Sequence, residues 1–375
     1  MNQPKIRTWG MALATCCSLL ALLIGTGCKE ERHPAVPTVV ATGPQELVWP
    51  QGAAYTGAYV DFGEGEDKVT LEAIEQFDSL VGKKQAIIAS SSFWGEQTFP
   101  GKNIGIISRY GAVPLIFWSP WDRPYMEHTP EKRFSLESIL AGSWDKYIDQ
   151  WADNAKAFGK PLLVAWGIEM NGEWFPWSGA HHGAGEIIPG SNPIRYRGPE
   201  AFKQAYRYVV DRVRARGANN VLWGFHVNHV TYPRGPWNTM ASYYPGDDYV
   251  DWLGMSAYSM QYSYQGWCSL TDVTDDAYKE LAAVSATKPM VMAEWGVGEF
   301  PKAGNKGVWM TDAFAALKNR YPRFRAAVYW HERWQNSDQS YSNLRVNSSP
   351  ESLNAYREAV ADPYWLPRPL FLPKH

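Results

Sequence analysis

Two stretches far apart in the chain carry residue types that could break a bond. The first, Val164 to Trp177, reads VAWGIEMNGEWFPW, where an apolar run beginning at Leu162 stops at one acid, Glu169. Asn171, Gly172 and three aromatics, Trp174, Phe175 and Trp177, follow it. The second, PMVMAEWG from Pro289 to Gly296, stops at Glu294. A short run of Leu and Val is the pattern of a strand covered on both faces. An acid at its end, followed by Asn-Gly and indoles, marks the mouth of a pocket. Two such acids together can cleave a glycosidic bond: one gives a proton to the leaving oxygen while the other stands across the sugar ring. Flat indoles suit the apolar faces of sugars. Alone, Glu169 also reads as an ordinary surface acid beside core aromatics; the second acid in a matching setting favours the site.

Elements able to bring these acids together are visible as an alternation of apolar and amphipathic segments. Strand-like runs are Ala53–Val60, Gln85–Ser90, Ala112–Trp118, Leu162–Ile168, Val221–Val227, Tyr249–Ser256, Pro289–Ala293 and Arg325–Trp330. Helical patterns fall at Thr70–Leu80, Asn103–Arg109, Trp144–Phe158, Pro199–Arg216, Thr274–Ser285, Val308–Asn319 and Pro350–Ala361, with the weakest helical signal between the fifth and sixth strands. Repeated β-α units imply a parallel sheet, and eight of them imply an α/β fold of the closed (β/α)8, or TIM, barrel type. An open doubly wound sheet is the alternative, and the glycine-rich phosphate loop it would carry after an early strand is missing. In a barrel, functional side chains come from the C-terminal ends of strands. Those ends hold Phe117, Trp118, Ser119, Pro120 and Trp121 (third strand), Glu169 (fourth), His226 and Asn228 (fifth), Tyr258 (sixth), Glu294 (seventh), and Tyr329, Trp330 and His331 (eighth). Glu169 and Glu294 would then face one another across the barrel mouth.

The 375 residues carry 36 basic and 38 acidic side chains, which argues against a nucleic-acid partner recruited by bulk charge. With 19 Trp and 21 Tyr, a large core is available and some rings are left for ligand. Lys5 and Arg7 precede an uncharged run, Met11 to Gly27, that leads into Cys28, so residues 1–28 resemble a bacterial lipoprotein signal whose cysteine is lipidated. An uncleaved N-terminal anchor is the alternative; either implies export, with the chain held at a membrane face. Residues 29–49, with Pro34, Pro37 and Pro44, read as a flexible tether, and 50–370 as the catalytic barrel. Cys16 and Cys17 lie inside the signal, so Cys268 stands alone in the folded region, and neither a disulfide framework nor a thiolate metal cluster is expected.

At these residues the chain resembles glycoside hydrolase family 26, over roughly residues 50–365. Glu169-Met170-Asn171-Gly172 with its trailing aromatics is similar to the family's acid/base motif, Asp251–Tyr258 (DWLGMSAY) to its sixth-strand segment, and Ala293-Glu294-Trp295-Gly296 to its nucleophile motif. The tail SSPESLNAYREAVADPYW resembles the family's closing helix. The resemblance implies Glu169 as general acid/base and Glu294 as nucleophile of a retaining endo-β-glycanase. It implies that Tyr258 hydrogen-bonds Glu294, that Trp330 forms the floor under the sugar, and that Trp174 stacks on the leaving-group side. Asn171, Asn228, Trp118 and Trp121 would line the substrate cleft.

Ile168 stands where family mannanases usually carry histidine, so either His226 supplies that hydrogen bond or the substrate differs from mannan. The substrates implied are β-1,4-mannan or glucomannan, with mixed-linkage β-glucan, xylan or an exopolysaccharide as alternatives, and a barrel that binds glycans without cutting them as the non-enzymatic one. Neither cofactor nor metal is called for: His181-His182 and His226 with His229 read as cleft lining or exposed. The expected assembly is a monomer.

Overall fold

Eight short runs of residues buried at nearly every position become the strands of one closed parallel sheet, the pattern expected where helices cover one face and a packed interior the other. The structure, a computed structural model, describes residues 45–63, 65–122, 131–336 and 338–373. The strands are β1 (Ala54–Val60), β2 (Ile87–Phe93), β3 (Val113–Ser119), β4 (Leu162–Trp166), β5 (Val221–Asn228), β6 (Trp252–Tyr258), β7 (Met290–Gly296) and β8 (Phe324–His331). Each pairs in parallel with the next, and β8 returns to pair with β1, from Tyr55 opposite Ala326 to Val60 opposite His331. The barrel is therefore closed, as the alternating pattern predicts, and the open sheet is excluded.

The connecting helices are α1 (Leu71–Val81), α2 (Gly101–Tyr110), α3 (Asp145–Phe158), α4 (Arg197–Ala215), α5 (Met240–Tyr243), α6 (Leu270–Val284), α7 (Lys306–Asn319) and α8 (Pro350–Ala361). Several begin where a side-chain oxygen accepts a backbone N–H of the first turn: Thr70, Ser269, Asn305 and Ser349. The weakest sequence signal falls on α5, which is a single turn. Strand β6 begins at Trp252 rather than Tyr249 and runs on to include Tyr258. Strand β4 ends at Trp166, two residues before the expected end.

The expected tether is corrected at its C-terminal end. Gln45–Val48 forms a strand antiparallel to Leu370–Pro373, and Trp365–Leu366 pairs in parallel with the start of β1. The Tyr55 hydroxyl joins these pieces by donating to the Val48 carbonyl and accepting from Leu370 N at 3.0 Å. The folded unit thus reaches from residue 45 to 373, beyond the expected 50–370. Four residues of strand after a proline-rich run are too few to show a period. The signal segment, Cys28 and the rest of the tether lie outside the described residues. Among the described residues no helix is long and apolar enough to cross a membrane.

Trp118 is a second correction. Successive strand side chains point to opposite faces, so Phe117 and Trp118 cannot both enter the barrel mouth. Phe117 faces inward, 5.5 Å from the His226 ring and 6.1 Å from Trp330 between centroids. Trp118 faces the helical shell: it stacks on Trp151 of α3 at 4.1 Å and 17°, and its Nε1 donates to the Tyr147 hydroxyl at 2.9 Å. We expect Trp118→Ala to cost about 3–5 kcal/mol of stability, the range for deleting a large buried aromatic. The check is the urea unfolding midpoint; a cleft-lining indole would instead weaken substrate affinity and leave the midpoint in place.

Candidate active site

The chain leaves β4 through backbone that is costly for most residues. Gly167 has φ +59°, and a Cβ there would meet Phe202 Cε2 at 3.0 Å, so both conformation and space call for glycine. Glu169 follows with φ +56°, a left-handed conformation costing a non-glycine residue about 1–3 kcal/mol. Surrounding bonds enforce it: Glu169 N donates to His226 O at 2.7 Å, Gly172 N to Glu169 O at 2.9 Å, and Trp177 Nε1 to Ile168 O at 2.7 Å. Gly172 leaves room for the Trp174 indole, which a Cβ would strike at 2.2 Å. That indole donates Nε1 to Glu169 Oε2 at 2.7 Å, so Trp174 holds the acid as well as flanking it.

Asn171, expected among the substrate contacts, is instead a fully buried staple. Its Nδ2 donates to Asn228 O at 2.8 Å and Thr231 Oγ1 at 3.1 Å, while its Oδ1 accepts from Asn228 N at 2.9 Å. Those bonds use the amide to tie the loop after β4 to the end of β5. Trp121 is likewise corrected: 4% exposed, it packs edge-on against Phe175 and Trp177 and supports the loop from beneath. Asn228 stands at the end of β5 with its Oδ1 accepting from Val230 N at 2.8 Å.

Glu294 enters from β7 beside Ser256 of β6, next to a register shift between those strands. The Tyr258 hydroxyl donates to Glu294 Oε2 at 2.9 Å. His226 lies beneath, its Nε2 2.7 Å from Ser256 Oγ and 4.0 Å from Glu294 Oε1. One polar side-chain atom each from Glu169, His226 and Glu294 lies within 4.8 Å of the others, so the acids of β4 and β7 converge. Both carboxyls are nearly buried, at 6% and 7% exposure.

Burial, then the neighbouring Glu169 charge, pushes Glu294 well above the ordinary carboxylate range; the Tyr258 bond pulls it down. Burial also lowers His226 to about 3, so the imidazole is neutral and brings no compensating charge. Two carboxyls this close cannot both ionise readily, and one proton shared between them relieves the repulsion. These three side chains are, among the described residues, the cluster with donors arranged for a cation; a proton meets the same electrostatic need. The other described histidines go separate ways, His181 to Glu173 O, His182 to Glu137 and Pro176 O, His229 to Ser256 O, and His331 to Val346 N, which donates to its Nδ1.

Trp330, expected under the sugar, is 7% exposed and stacked on Tyr59 at 4.0 Å and 15°. Its Nε1 donates to Glu332 Oε2 at 2.8 Å. Burial and the charge of Glu66 raise Glu332 to about 8, opposed by that bond. Sequence reasoning missed Tyr59, Ser256 and Glu332, and placed Phe117 at a strand end without giving it a role. The usable signal for Glu332 was an acid just past an aromatic strand end, the feature that marks Glu169; for Phe117 it was the two-residue period of β3.

A closed (β/α)8 barrel with converging glutamates from its fourth and seventh strands defines the class of protein. Residues 128–348 match the model of glycosyl hydrolase family 26, and the chain belongs to that family. Endoglucanase H of Acetivibrio thermocellus is 31% identical over 77% of this chain and 29% of its own length. The mannan endo-1,4-beta-mannosidase of Bacillus subtilis is 27% identical over 62% of this chain and 58% of its own. The chain thus spans less than two thirds of either relative. Among solved structures, that of a Bacillus subtilis mannanase superposes with a TM-score of 0.57 at 18% identity, covering 85% of this chain and 87% of that one. A Cellulomonas fimi endo-beta-1,4-mannanase gives 0.58 at 18% identity, covering 84% and 72%. At such identities these structures speak for the fold.

The raised Glu294 makes a stability prediction. Below its unfolded value of 4.5 both folded and unfolded states hold the proton; as pH climbs past that value the unfolded chain ionises while the folded site resists, so stability is lost. Glu294→Gln removes this penalty. The variant's Tm should exceed the wild type's by about 2–4 °C at pH 7, roughly 1 kcal/mol for a domain of this size. At pH 4 the two should coincide in scanning calorimetry.

Proposed function

We propose that the chain is a retaining endo-β-glycanase. The observation that carries this reading is the approach of Glu169 and Glu294 to within 4.8 Å of each other through one oxygen each. That suits double displacement, which uses carboxyls about 5–5.5 Å apart, and not inversion, which needs about 6.5–9.5 Å to admit a water. Glu294 attacks the anomeric carbon and forms a glycosyl ester as the bond to the leaving oxygen breaks; Glu169 gives that oxygen its proton. Glu169 then takes a proton from water, which cleaves the ester and restores Glu294. Tyr258 orients Glu294 through its 2.9 Å bond, and Trp174 aims Glu169. Trp330, pinned between Tyr59 and Glu332, presents a flat face to the sugar undergoing cleavage.

The substrate we propose is a neutral β-linked polysaccharide, since the negative charge left on the proton-sharing catalytic pair, together with Glu66, would repel uronic acids. The mannosidase similarity supports β-1,4-mannan or glucomannan. Mixed-linkage β-glucan is the second reading, favoured by Ile168 where histidine is usual and by the similarity to Endoglucanase H. Incubation of purified protein with glucomannan, mixed-linkage glucan and xylan should release new reducing ends from at least one, with retained anomeric configuration by NMR. Glu169→Ala should lower kcat/KM by about 100- to 10,000-fold, the span for loss of general acid-base catalysis. Release from none of the three, or full activity in that variant, would sink the reading.

We also propose that Cys28 is lipidated and holds the enzyme at a membrane, from the signal pattern that precedes it. In cells, Cys28→Ala should move the protein from the detergent-soluble membrane fraction to the soluble one, read by immunoblot. An unchanged distribution would favour the uncleaved anchor.

A further inference from the structure

The rim beside Glu294 carries an aromatic cluster that the cleavage chemistry does not use. Tyr262 and Tyr264 lie in the loop after β6, with ring centroids 5.4 Å apart and planes within 3° of parallel. Trp334, in a hairpin after β8, meets Tyr262 edge-on at 6.4 Å and 74°. Tyr264 is 79% exposed. Single exposed aromatics are common and need no explanation. This pair is held in place. Gln265 Oε1 accepts from Gln261 N at 2.7 Å and Tyr262 N at 3.0 Å, and Gln265 N donates back to Tyr262 O at 3.0 Å. The hairpin is latched to the same loop by Ser342 Oγ, which donates to Gln261 O at 2.7 Å. The loop after β7 joins both, through Gly298 N to Met260 O at 2.8 Å and Glu299 N to Asn343 O at 3.0 Å.

Three loops are therefore fastened into one rim segment, and it begins four residues after Tyr258, the hydrogen-bond partner of Glu294. Free aromatic side chains would gain by folding inward. Here backbone bonds fix the loop so that one tyrosine backs the other and the outer ring stays open to solvent. A rigid flat apolar face with a polar edge suits the C–H face of a sugar ring, and its two-χ side chain has little freedom left to lose on contact. It follows the same strand as Tyr258 and so stands at the barrel mouth, where a chain threaded over the catalytic pair would extend.

We propose that Tyr262, Tyr264 and Trp334 form a distal platform that holds the extended backbone of a β-linked polysaccharide outside the cleavage point. The ligand class rests on the glycanase reading; the platform itself rests on the loop geometry. The test is affinity electrophoresis through gels containing glucomannan, mixed-linkage glucan or xylan, with Glu294→Gln as the common background so that retardation reports binding alone. Adding Tyr264→Ala should raise the dissociation constant about three- to tenfold on the retarding polymer. Tyr264→Phe, which keeps the ring, should return it to within about twofold. Trp334→Ala should weaken binding in the same direction. Retardation indifferent to Tyr264, or no retardation of the background protein in any gel, overturns the platform. Tyr264-dependent retardation by a wild-type chain that hydrolyses none of the polymers would leave the platform standing and defeat the hydrolase reading instead.

Discussion

The site depends on two buried acids held closer together than their charges favour. Glu169 and Glu294 approach within 4.8 Å in surroundings that exclude most water, beside a histidine that burial keeps neutral. In water the pair would separate or ionise freely; here neither is open to them. Closure of the sheet by β8 onto β1 fixes the strand ends around a ring. The left-handed turn at Glu169 is held by the His226 carbonyl and by the Asn171 staple, so the acid cannot retreat. Local strain at Glu169 and electrostatic strain at Glu294 are thus two expressions of one arrangement, offset by the packing of the barrel below.

That arrangement organises the aromatic residues into layers with separate tasks. Trp118 and Trp151 cement strand to helix. Trp121, Phe175 and Trp177 brace the loop that carries Glu169. Trp174 and Trp330 each have their indole N–H committed to a carboxylate, of Glu169 and Glu332. An indole anchored this way offers its face in a fixed orientation, which a freely rotating ring would not.

How far the sequence reveals this follows from the range of each interaction. Glu169 and Glu294 were legible because an acid ending an apolar run breaks the local pattern, and counting strands placed them at the fourth and seventh ends. The Tyr258 contact came from resemblance; composition could not have supplied it. Trp118 was misread by one residue of phase, since Phe117-Trp118 offers two aromatics and a strand can turn only one inward. Asn171 looked like a ligand contact because a polar residue in a motif beside an acid has that appearance, whereas its partners, Asn228 and Thr231, lie over fifty residues away. Gln45–Val48 escaped notice because its partner strand is at the other end of the chain. Glu332 acquires its character chiefly from burial and the charge of Glu66, neither of which is local.

The ribbon joining Gln45–Val48 to Leu370–Pro373 also sets where the polypeptide departs. Tyr55 and Ala54, which it borders together with Trp365, stand at the beginning of β1, while Glu169 follows the far end of β4 and Glu294 stands two residues short of the far end of β7. Residues 45 and 373, the two described ends of the barrel, therefore lie on the side remote from the carboxyls. The mouth above the two acids is thus left clear of both described ends of the barrel.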